Sequence, residues 1–207
     1  MVLYYLLGVF GWLFNREKSL LMALTLGINA YWQPEKMFRM LDVTGYDYKD
    51  RLVRFKLAIF TFVYVCITCL VMIFGIIQPM KKYLNRDRPA YRKEMRRLKD
   101  LRSREKEQSM PSGDSASCSY QCLYYMMIFQ NPLVMVFILP LCMLGRVYAH
   151  CHWFGDTIIG AIIGLICSRI SLRYMHVIGI PLFKFIMDIS PTTSIFLSFV
   201  TMIFVFI

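Results

Sequence analysis

The sequence predicts an all-α protein, a polytopic transmembrane bundle of about six helices, or seven if a short first run is included. Three observations lead to this prediction. Hydrophobic residues make up 57% of the 207-residue chain, and charged residues make up only 18%, whereas soluble domains carry about 25%. The charged residues are concentrated in short segments between long apolar runs, which is typical of membrane proteins. The mean hydropathy of +0.50 agrees with this pattern.

The start of the chain contains two apolar runs. Residues 1–14 are short for a membrane span, and the polar segment 15–18 separates them from the second run, 19–32. Basic residues follow the first run instead of preceding it, which disfavours a signal peptide. The shortness of the first run leaves open whether Met1 is the natural start.

The clearest membrane span is 55–79, whose one charged residue, Lys56, lies near its start. At that position a lysine side chain can extend to the lipid headgroups, an arrangement called snorkelling. Four further helices are predicted at 115–130, 133–145, 157–180 and 186–207, with a turn at Asn131-Pro132, a kink at Pro140 and a break starting at Pro181.

Three polar segments connect these runs. Residues 33–54 contain the helix breakers Pro34 and Gly45 and are predicted to form an exposed loop. The other two segments, 80–110 and 146–156, hold most of the remaining ionisable residues. A helix bundle of this length leaves no room for a separate soluble enzyme, so we expect any chemistry at helix ends and in the connecting segments. The prediction is therefore a single domain, 1–207, with a functional core at 81–156.

The chain is strongly basic, with a net charge of +11 and a pI near 9.4. Such a balance is typical of proteins that bind nucleic acid, anionic lipid or an anionic substrate. The apolar background and the lack of a nucleic-acid-binding motif argue against nucleic acid, so the expected partners are the bilayer and an anionic ligand. The basic run 92–106 is interpreted as a solvated segment contacting anionic headgroups, and the positive-inside rule places it in the cytoplasm.

The seven cysteines do not form a metal or disulfide pattern. Six of them lie in or beside apolar stretches, and two pairs, Cys66 with Cys69 and Cys118 with Cys122, have helical spacing. Small, weakly polar side chains in this context are interpreted as packing residues.

Three short motifs stand at predicted helix ends: Lys81-x6-Arg88-Pro89, Pro111-Ser112-Gly113-Asp114 and Arg146-x5-His152-x3-Asp156. The first follows the 55–79 helix, the second begins the next helix, and the third begins another helix two crossings later. Counting the crossings puts all three motifs on one membrane face.

The residue types in these motifs suit a phosphoryl group. Lys81, Arg88 and Arg146 supply three cations, and a guanidinium presents a planar pair of donors to phosphate oxygens. Ser112 and Gly113 begin a helix, where free N–H groups and the helix dipole attract anions. The motifs therefore predict a cage for a phosphoryl group in its transition state.

His152 is the candidate nucleophile, because a neutral imidazole can attack phosphorus and form a phosphohistidine. If the segment is helical, Asp156 lies one turn away and can bind the other ring nitrogen, which fixes the tautomer. His150, His152 and Asp156 also have a spacing that suits a transition metal. Three nearby cations would repel a divalent ion, so we expect no metal at this site.

The ordered motifs resemble the type 2 phosphatidic acid phosphatase superfamily, which includes bacterial acid phosphatases and vanadium haloperoxidases. The family pattern KxxxxxxRP, PSGH and SRxxxxxHxxxD corresponds here to KKYLNRDRP, PSGD and GRVYAHCHWFGD, within residues 81–156. The resemblance implies a helical membrane bundle that hydrolyses lipid phosphates without a metal or other cofactor. It also implies that Lys81, Arg88, Ser112, Gly113 and Arg146 bind phosphate, and that His152 and Asp156 are the nucleophile and its partner.

Two positions depart from the family pattern. Gly145 replaces a serine, which removes one hydrogen bond to phosphate. Asp114 replaces the histidine that protonates the leaving group in the family. An ordinary aspartate has a pKa of about 3.9, so Asp114 is expected to be ionised near neutral pH and a poor acid. Three interpretations remain open: a helix N-cap, an acid or base whose pKa burial has raised, or an inactive site.

The resulting hypothesis is a lipid phosphate or lipid diphosphate phosphohydrolase, multi-pass in the endoplasmic reticulum or plasma membrane. Its relatives usually place the site toward the lumen or exterior, which conflicts with the orientation drawn from the basic run. Because a phosphate leaving group has a second pKa of about 6 and an alcohol one of about 16, a site without a general acid should favour diphosphates.

Two alternatives to an enzyme remain. One is a catalytically inactive relative that binds lipid phosphates without turnover, and the other, less well supported, is a lipid transporter or scramblase. The sequence gives no indication of oligomeric state.

Overall fold

The computed structural model describes residues 5, 7, 9, 19–90, 101–104 and 108–206, and all regular secondary structure in this part is helical. From residue 19 onward, the described residues form eight α-helices: α1 Ser19–Trp32, α2 Pro34–Leu41, α3 Arg51–Leu84, α4 Gly113–Phe129, α5 Val134–Tyr148, α6 Phe154–Arg173, α7 Ile180–Asp188 and α8 Pro191–Phe206. Short 3₁₀ and π segments add to these, at Arg102–Arg104 and Met175–Gly179. The all-α prediction is therefore confirmed. The interpretations of residues 1–18 and of the basic run 92–106 concern stretches that lie largely outside the described residues.

Helix α2 lies inside the segment 33–54 that was predicted to be an exposed loop, so that prediction is wrong for Pro34–Leu41. Pro34 occupies the first turn of the helix, where a missing N–H costs nothing. Met37, Phe38 and Leu41 form a buried apolar face. Eight residues with three charges are too short and too polar to give a clear helical signal from sequence.

Three prolines lie within helices, each two residues after a π-helical segment. The π segments are Ile73–Ile77, Val134–Ile138 and Met175–Gly179, and the prolines are Pro79, Pro140 and Pro181. Proline has no N–H, and its ring crowds the carbonyl four residues earlier. The backbone hydrogen bonds before each proline therefore join residues five apart, as in a π-helix, and the helix continues. The break predicted at Pro181 is consequently wrong, because the chain continues as α7.

Helices α4 and α6 approach each other closely through two glycines. A Cβ atom added at Gly160 would lie 2.3 Å from the Ser112 carbonyl oxygen, and one at Gly164 would lie 2.1 Å from that of Ala116. The Ser119 hydroxyl donates to the Ala161 carbonyl at 2.9 Å. Small residues one helical turn apart allow such backbone contact. This pairing fixes the start of α4 against the start of α6.

Lys56 does not extend to the surface, so the snorkelling prediction is wrong. The residue is only 7% exposed, and its ammonium group donates to the carbonyls of Met187 and Ile189 at the end of α7. A cation at the C-terminus of a helix satisfies carbonyls that have no partner within the helix. Lys56 therefore joins α3 to α7.

The cysteines of the described residues are free thiols, and six of the seven are buried. Cys66 and Cys69 lie in α3, and Cys118 and Cys122 in α4, with the last two sulfur atoms 3.9 Å apart. Their interpretation as packing residues is confirmed.

Two helices, α3 and α6, are long and apolar enough to cross a membrane, and α1, α5 and α8 contain shorter apolar stretches. One face of α6 carries four exposed isoleucines at a spacing of four residues: Ile158, Ile162, Ile166 and Ile170, with exposed fractions of 38–54%. Residues four apart lie on the same face of a helix. The result is a continuous apolar stripe along the outside of α6.

Candidate active site

The three sequence motifs lie together at one end of the bundle. Lys81 is in the last turn of α3, Arg88 is in the segment after it, and Arg146 is in the last turn of α5. His152 belongs to the turn between α5 and α6. All four side chains are buried, with exposed residue fractions between 0% and 9%. Buried cations are rare unless other groups stabilise them, so the arrangement indicates a site for an anion.

The second motif forms the start of α4. Ser112 is the N-cap, since its hydroxyl accepts a hydrogen bond from the Ser115 N–H at 3.3 Å. The Ser112 N–H donates to the Asp156 carbonyl at 3.0 Å, which links the start of α4 to α6. The first turn of a helix has N–H groups without helical acceptors, and Gly113 and Asp114 supply two of them. The interpretation of Asp114 as the N-cap is wrong, because Ser112 holds that position.

The Asp114 carboxylate points into the cation cluster. Its Oδ2 lies 2.8 Å from Nη2 of Arg146, whose side chain is fully buried, and only 9% of the Asp114 side chain is exposed. The same oxygen lies 3.9 Å from Nε2 of His152. A buried guanidinium at this distance favours the ionised form of a carboxyl group. Asp114 therefore occupies a position next to the candidate nucleophile as an anion.

His152 presents Nε2 to the cluster. Its Nδ1 lies 2.6 Å from the Ser109 carbonyl, which can only accept, so Nδ1 carries the proton. Nε2 then holds the lone pair and lies 3.5 Å from Nη1 of Arg88. Burial, followed by the charges of Arg146, Arg88 and Lys81, holds the pKa of His152 well below its usual range, and the Ser109 hydrogen bond opposes this only in part. The imidazole is therefore neutral near pH 7, as a nucleophile requires.

Asp156 does not contact His152, so that part of the prediction is wrong. Its carboxylate accepts hydrogen bonds from Arg86 at 2.8 Å and from the Trp153 N–H at 2.9 Å. Helix α6 begins only at Phe154, and the residues before it form a turn. His152 is therefore not one helical turn from Asp156, whose carboxylate caps its own helix instead.

The group that orients His152 is the Ser109 carbonyl, which the sequence argument missed. Ser109 is itself held by Arg86, whose carbonyl accepts from the Ser109 N–H at 2.8 Å and from its hydroxyl at 3.2 Å. A backbone carbonyl leaves no signal in residue type. Arg86 could have been noticed in the sequence, because it is a further basic residue within the Lys81–Arg88 motif.

Arg88 is fixed by the backbone on both sides of the cluster. Its Nη1 donates to the Cys151 carbonyl at 2.6 Å, and its Nη2 donates to the Gln108 carbonyl at 3.3 Å. These contacts hold the guanidinium beside His152. A guanidinium held in this way is preorganised to bind an oxyanion.

The described residues do not include a group of three His, Cys, Asp or Glu side chains that could hold a metal ion. His150, which the sequence suggested as a third ligand, adopts a left-handed backbone conformation with φ of 55°. Within the described part of the chain, the cluster combines three cations with one neutral imidazole and one carboxylate. That composition suits attack on a phosphoryl group whose oxygens the cations neutralise.

Comparison with known proteins places the chain in a family. No curated protein and no solved structure gives a significant match. A family model does match, over residues 55–179, and these include all three motifs and the helices that carry them. The chain therefore belongs to the PAP2 superfamily, whose members are generally phosphatases acting on phosphate esters.

Proposed function

We propose that the protein is a metal-independent phosphohydrolase that removes phosphate from a membrane lipid phosphate or lipid diphosphate through a phosphohistidine on His152. The observation that carries the proposal is the neutral imidazole whose Nε2 faces Arg88, with Arg146 and Lys81 close by. A nucleophile without a proton to lose, surrounded by cations, is what phosphoryl transfer needs.

The reaction has two steps. In the first, Nε2 of His152 forms a bond to phosphorus while the bond to the leaving oxygen breaks, and the lipid leaves with the bonding electron pair. In the second, water attacks phosphorus, the P–N bond breaks and inorganic phosphate is released. The Nδ1 proton remains on the ring throughout, and the Ser109 carbonyl stabilises the positive charge that develops on the imidazole.

Each remaining motif residue has a proposed role. Lys81, Arg88 and Arg146 neutralise the phosphoryl oxygens. The N–H of Gly113, in the first turn of the helix that Ser112 caps, adds the positive end of the α4 dipole. Asp156 acts on the site indirectly, by holding Arg86 and the turn that contains His152.

We further propose that the protein is an integral multi-pass membrane protein of the endoplasmic reticulum or plasma membrane. The isoleucine stripe of α6 supports this, because soluble proteins seldom expose long apolar surfaces. At 34 residues, α3 is about 51 Å long, whereas a bilayer's hydrocarbon core is about 30 Å thick. Its polar end, with Lys81, can therefore reach the headgroups while its middle remains in lipid.

An apolar groove of about 480 Å³ between α1, α3 and α8 is not the expected location of the substrate's lipid chain. Its wall includes Phe62, which lies 19 residues before Lys81 on α3, about 28 Å along the helix. A lipid with its phosphate in the cation cluster would instead extend between the helices next to α6.

Asp114 bears on the substrate class. In the unliganded protein the ion pair with Arg146 favours the ionised carboxyl group, so Asp114 holds no proton for a leaving alkoxide when the substrate arrives. A departing phosphate needs no such proton, since its second pKa is about 6. We therefore propose that lipid diphosphates are the better substrates at neutral pH.

A second candidate function rests on the same contact. Because Asp114 already occupies Arg146, the chain could be a lapsed relative that binds lipid phosphates without turnover. The intact nucleophile with its fixed tautomer favours the enzyme.

The test is phosphate release by purified protein in detergent with EDTA present, from phosphatidic acid, a sphingoid phosphate and a polyprenyl diphosphate. We expect release that is lost in His152→Ala and fastest for the diphosphate. Binding of these lipids without release from any of them would favour the lapsed relative, and equal rates for matched mono- and diphosphates would contradict the leaving-group argument.

A further inference from the structure

We infer that the Asp114 carboxylate is an internal anion that a phosphoryl group must displace from Arg146, and that displacement brings one proton into the site. The inference rests on the proposed function only for the location of the anion cluster. It concerns binding, so it can be tested without any turnover.

The geometry places the carboxylate where a ligand oxygen belongs. Asp114 Oδ2 is 2.8 Å from Arg146 Nη2 and 3.9 Å from His152 Nε2. A phosphorus atom under attack by Nε2 would bring its own oxygens to this same side of Arg146. Two anions cannot both lie against one guanidinium at these distances without repulsion.

The charged groups around Asp114 determine how the protein responds to repulsion between its carboxylate and a bound phosphoryl group. Arg146 faces Asp114 from α5, and His152 faces it from the turn before α6. Arg88 lies within 3.5 Å of the same ring nitrogen, and Lys81 at the end of α3 is close enough for its charge to act on His152. Among the described residues, the Asp156 carboxylate also lies near the cluster, but it is directed to Arg86 and Trp153.

Among these groups Asp114 is the one that gains a proton. The arginines and Lys81 are already charged, and His152 stays neutral in a cluster of cations. When a dianion takes over Arg146, the carboxyl group loses the Arg146 contact and gains a negative neighbour, and both changes favour its protonated form.

Sulfate is the probe for this coupling, because it remains a dianion across the useful pH range and is not turned over. Sulfate binding to the full-length protein in detergent should be measured by calorimetry from about pH 5.5 to pH 8, in buffers of different ionisation enthalpy. We expect uptake of close to one proton per sulfate by the wild-type protein, and an affinity that falls toward tenfold per pH unit. This measurement needs no variant.

Asp114→Asn keeps the size of the side chain and removes the charge. It should bind sulfate at least tenfold more tightly than wild type at about pH 7.5 and show almost no pH dependence. Asp87→Asn is the matched control, since it removes an exposed carboxylate next to Arg88 in sequence and should leave proton uptake unchanged.

The outcomes separate the two proposals. Sulfate binding without proton uptake, equal affinities of wild type and Asp114→Asn, or pH dependence that persists in Asp114→Asn would overturn the role of Asp114 while leaving the anion site intact. Failure of both proteins to bind sulfate at any pH would overturn the anion site itself, and the proposed function with it.

Discussion

Replacement of Gly160 by alanine should damage catalysis from a position outside the cation cluster. The new Cβ would lie 2.3 Å from the Ser112 carbonyl oxygen, 3.1 Å from its carbonyl carbon and 3.2 Å from its nitrogen. All three are backbone atoms, so no side-chain rotation relieves the contact. Ordinary contact begins near 3.4 Å, and α4 and α6 must therefore separate by about 1 Å.

The displacement acts on the site through Ser112. This residue caps α4, and its N–H donates to the Asp156 carbonyl, so the start of α4 moves relative to the turn that holds His152. A misplacement of about 1 Å can cost about 100-fold in rate. Overpacking of a well-packed contact costs a further 1–3 kcal/mol or so of stability. We expect kcat to fall roughly 100-fold and the melting midpoint to fall by several degrees.

The assay is steady-state phosphate release, combined with thermal unfolding of the same preparation. Gly75→Ala is the matched control, because Gly75 also lies in a helix and a Cβ there meets nothing within 4 Å. If Gly160→Ala had the same kcat and the same melting midpoint as the wild-type protein, the spacing of α4 and α6 would not govern the site.

Three further predictions concern other contacts. The rate of phosphoenzyme formation at saturating substrate should change less than about twofold between pH 6 and 7.5, since the pKa of His152 is well below its usual range; loss of half the rate near the ordinary value of about 6.5 would contradict this. Asp156→Asn should lower kcat by about tenfold, because its carboxylate contacts Arg86, whereas a direct partner of the nucleophile would cost about 10⁴-fold. Lys56→Met should lower stability by about 2–4 kcal/mol through the loss of two charge-assisted hydrogen bonds to the end of α7, measured as a lower melting midpoint with unchanged KM.

The large features of the fold could be predicted because apolar runs carry them. The long run 55–79 became the middle of α3, and the run 157–180 became α6 with the π segment after it. Helix ends were less predictable. The Asp50 side chain caps α3 by accepting a hydrogen bond from the Leu52 N–H. Helix α3 therefore begins within a polar segment of the sequence, before the apolar run.

The residues that form the site could be predicted, but several of their contacts could not. Motif spacing brought Lys81, Arg88, Arg146 and His152 to one place, because the intervening helices return the chain to the same end. The Asp156 contact was predicted wrongly because it requires a helix through His152, where the chain forms a turn. The Ser109 carbonyl is a backbone group, and only the fold can show where it points.

The close contact of α4 and α6 did leave a signal that was overlooked. Gly160 and Gly164 are separated by three residues, a spacing that permits helices to touch backbone to backbone. Ser112, Ala116 and Ser119 supply the complementary small face of α4. Only the structure shows that these two sets of residues face each other.

The most direct test of the account is the identity of the phosphorylated atom. Protein quenched in alkali during turnover of a radiolabelled lipid phosphate or diphosphate should carry label on His152, on Nε2, because Nδ1 is bound to the Ser109 carbonyl. The label should be absent from His152→Ala. Turnover without label on His152, or label on Nδ1, would contradict the proposed mechanism.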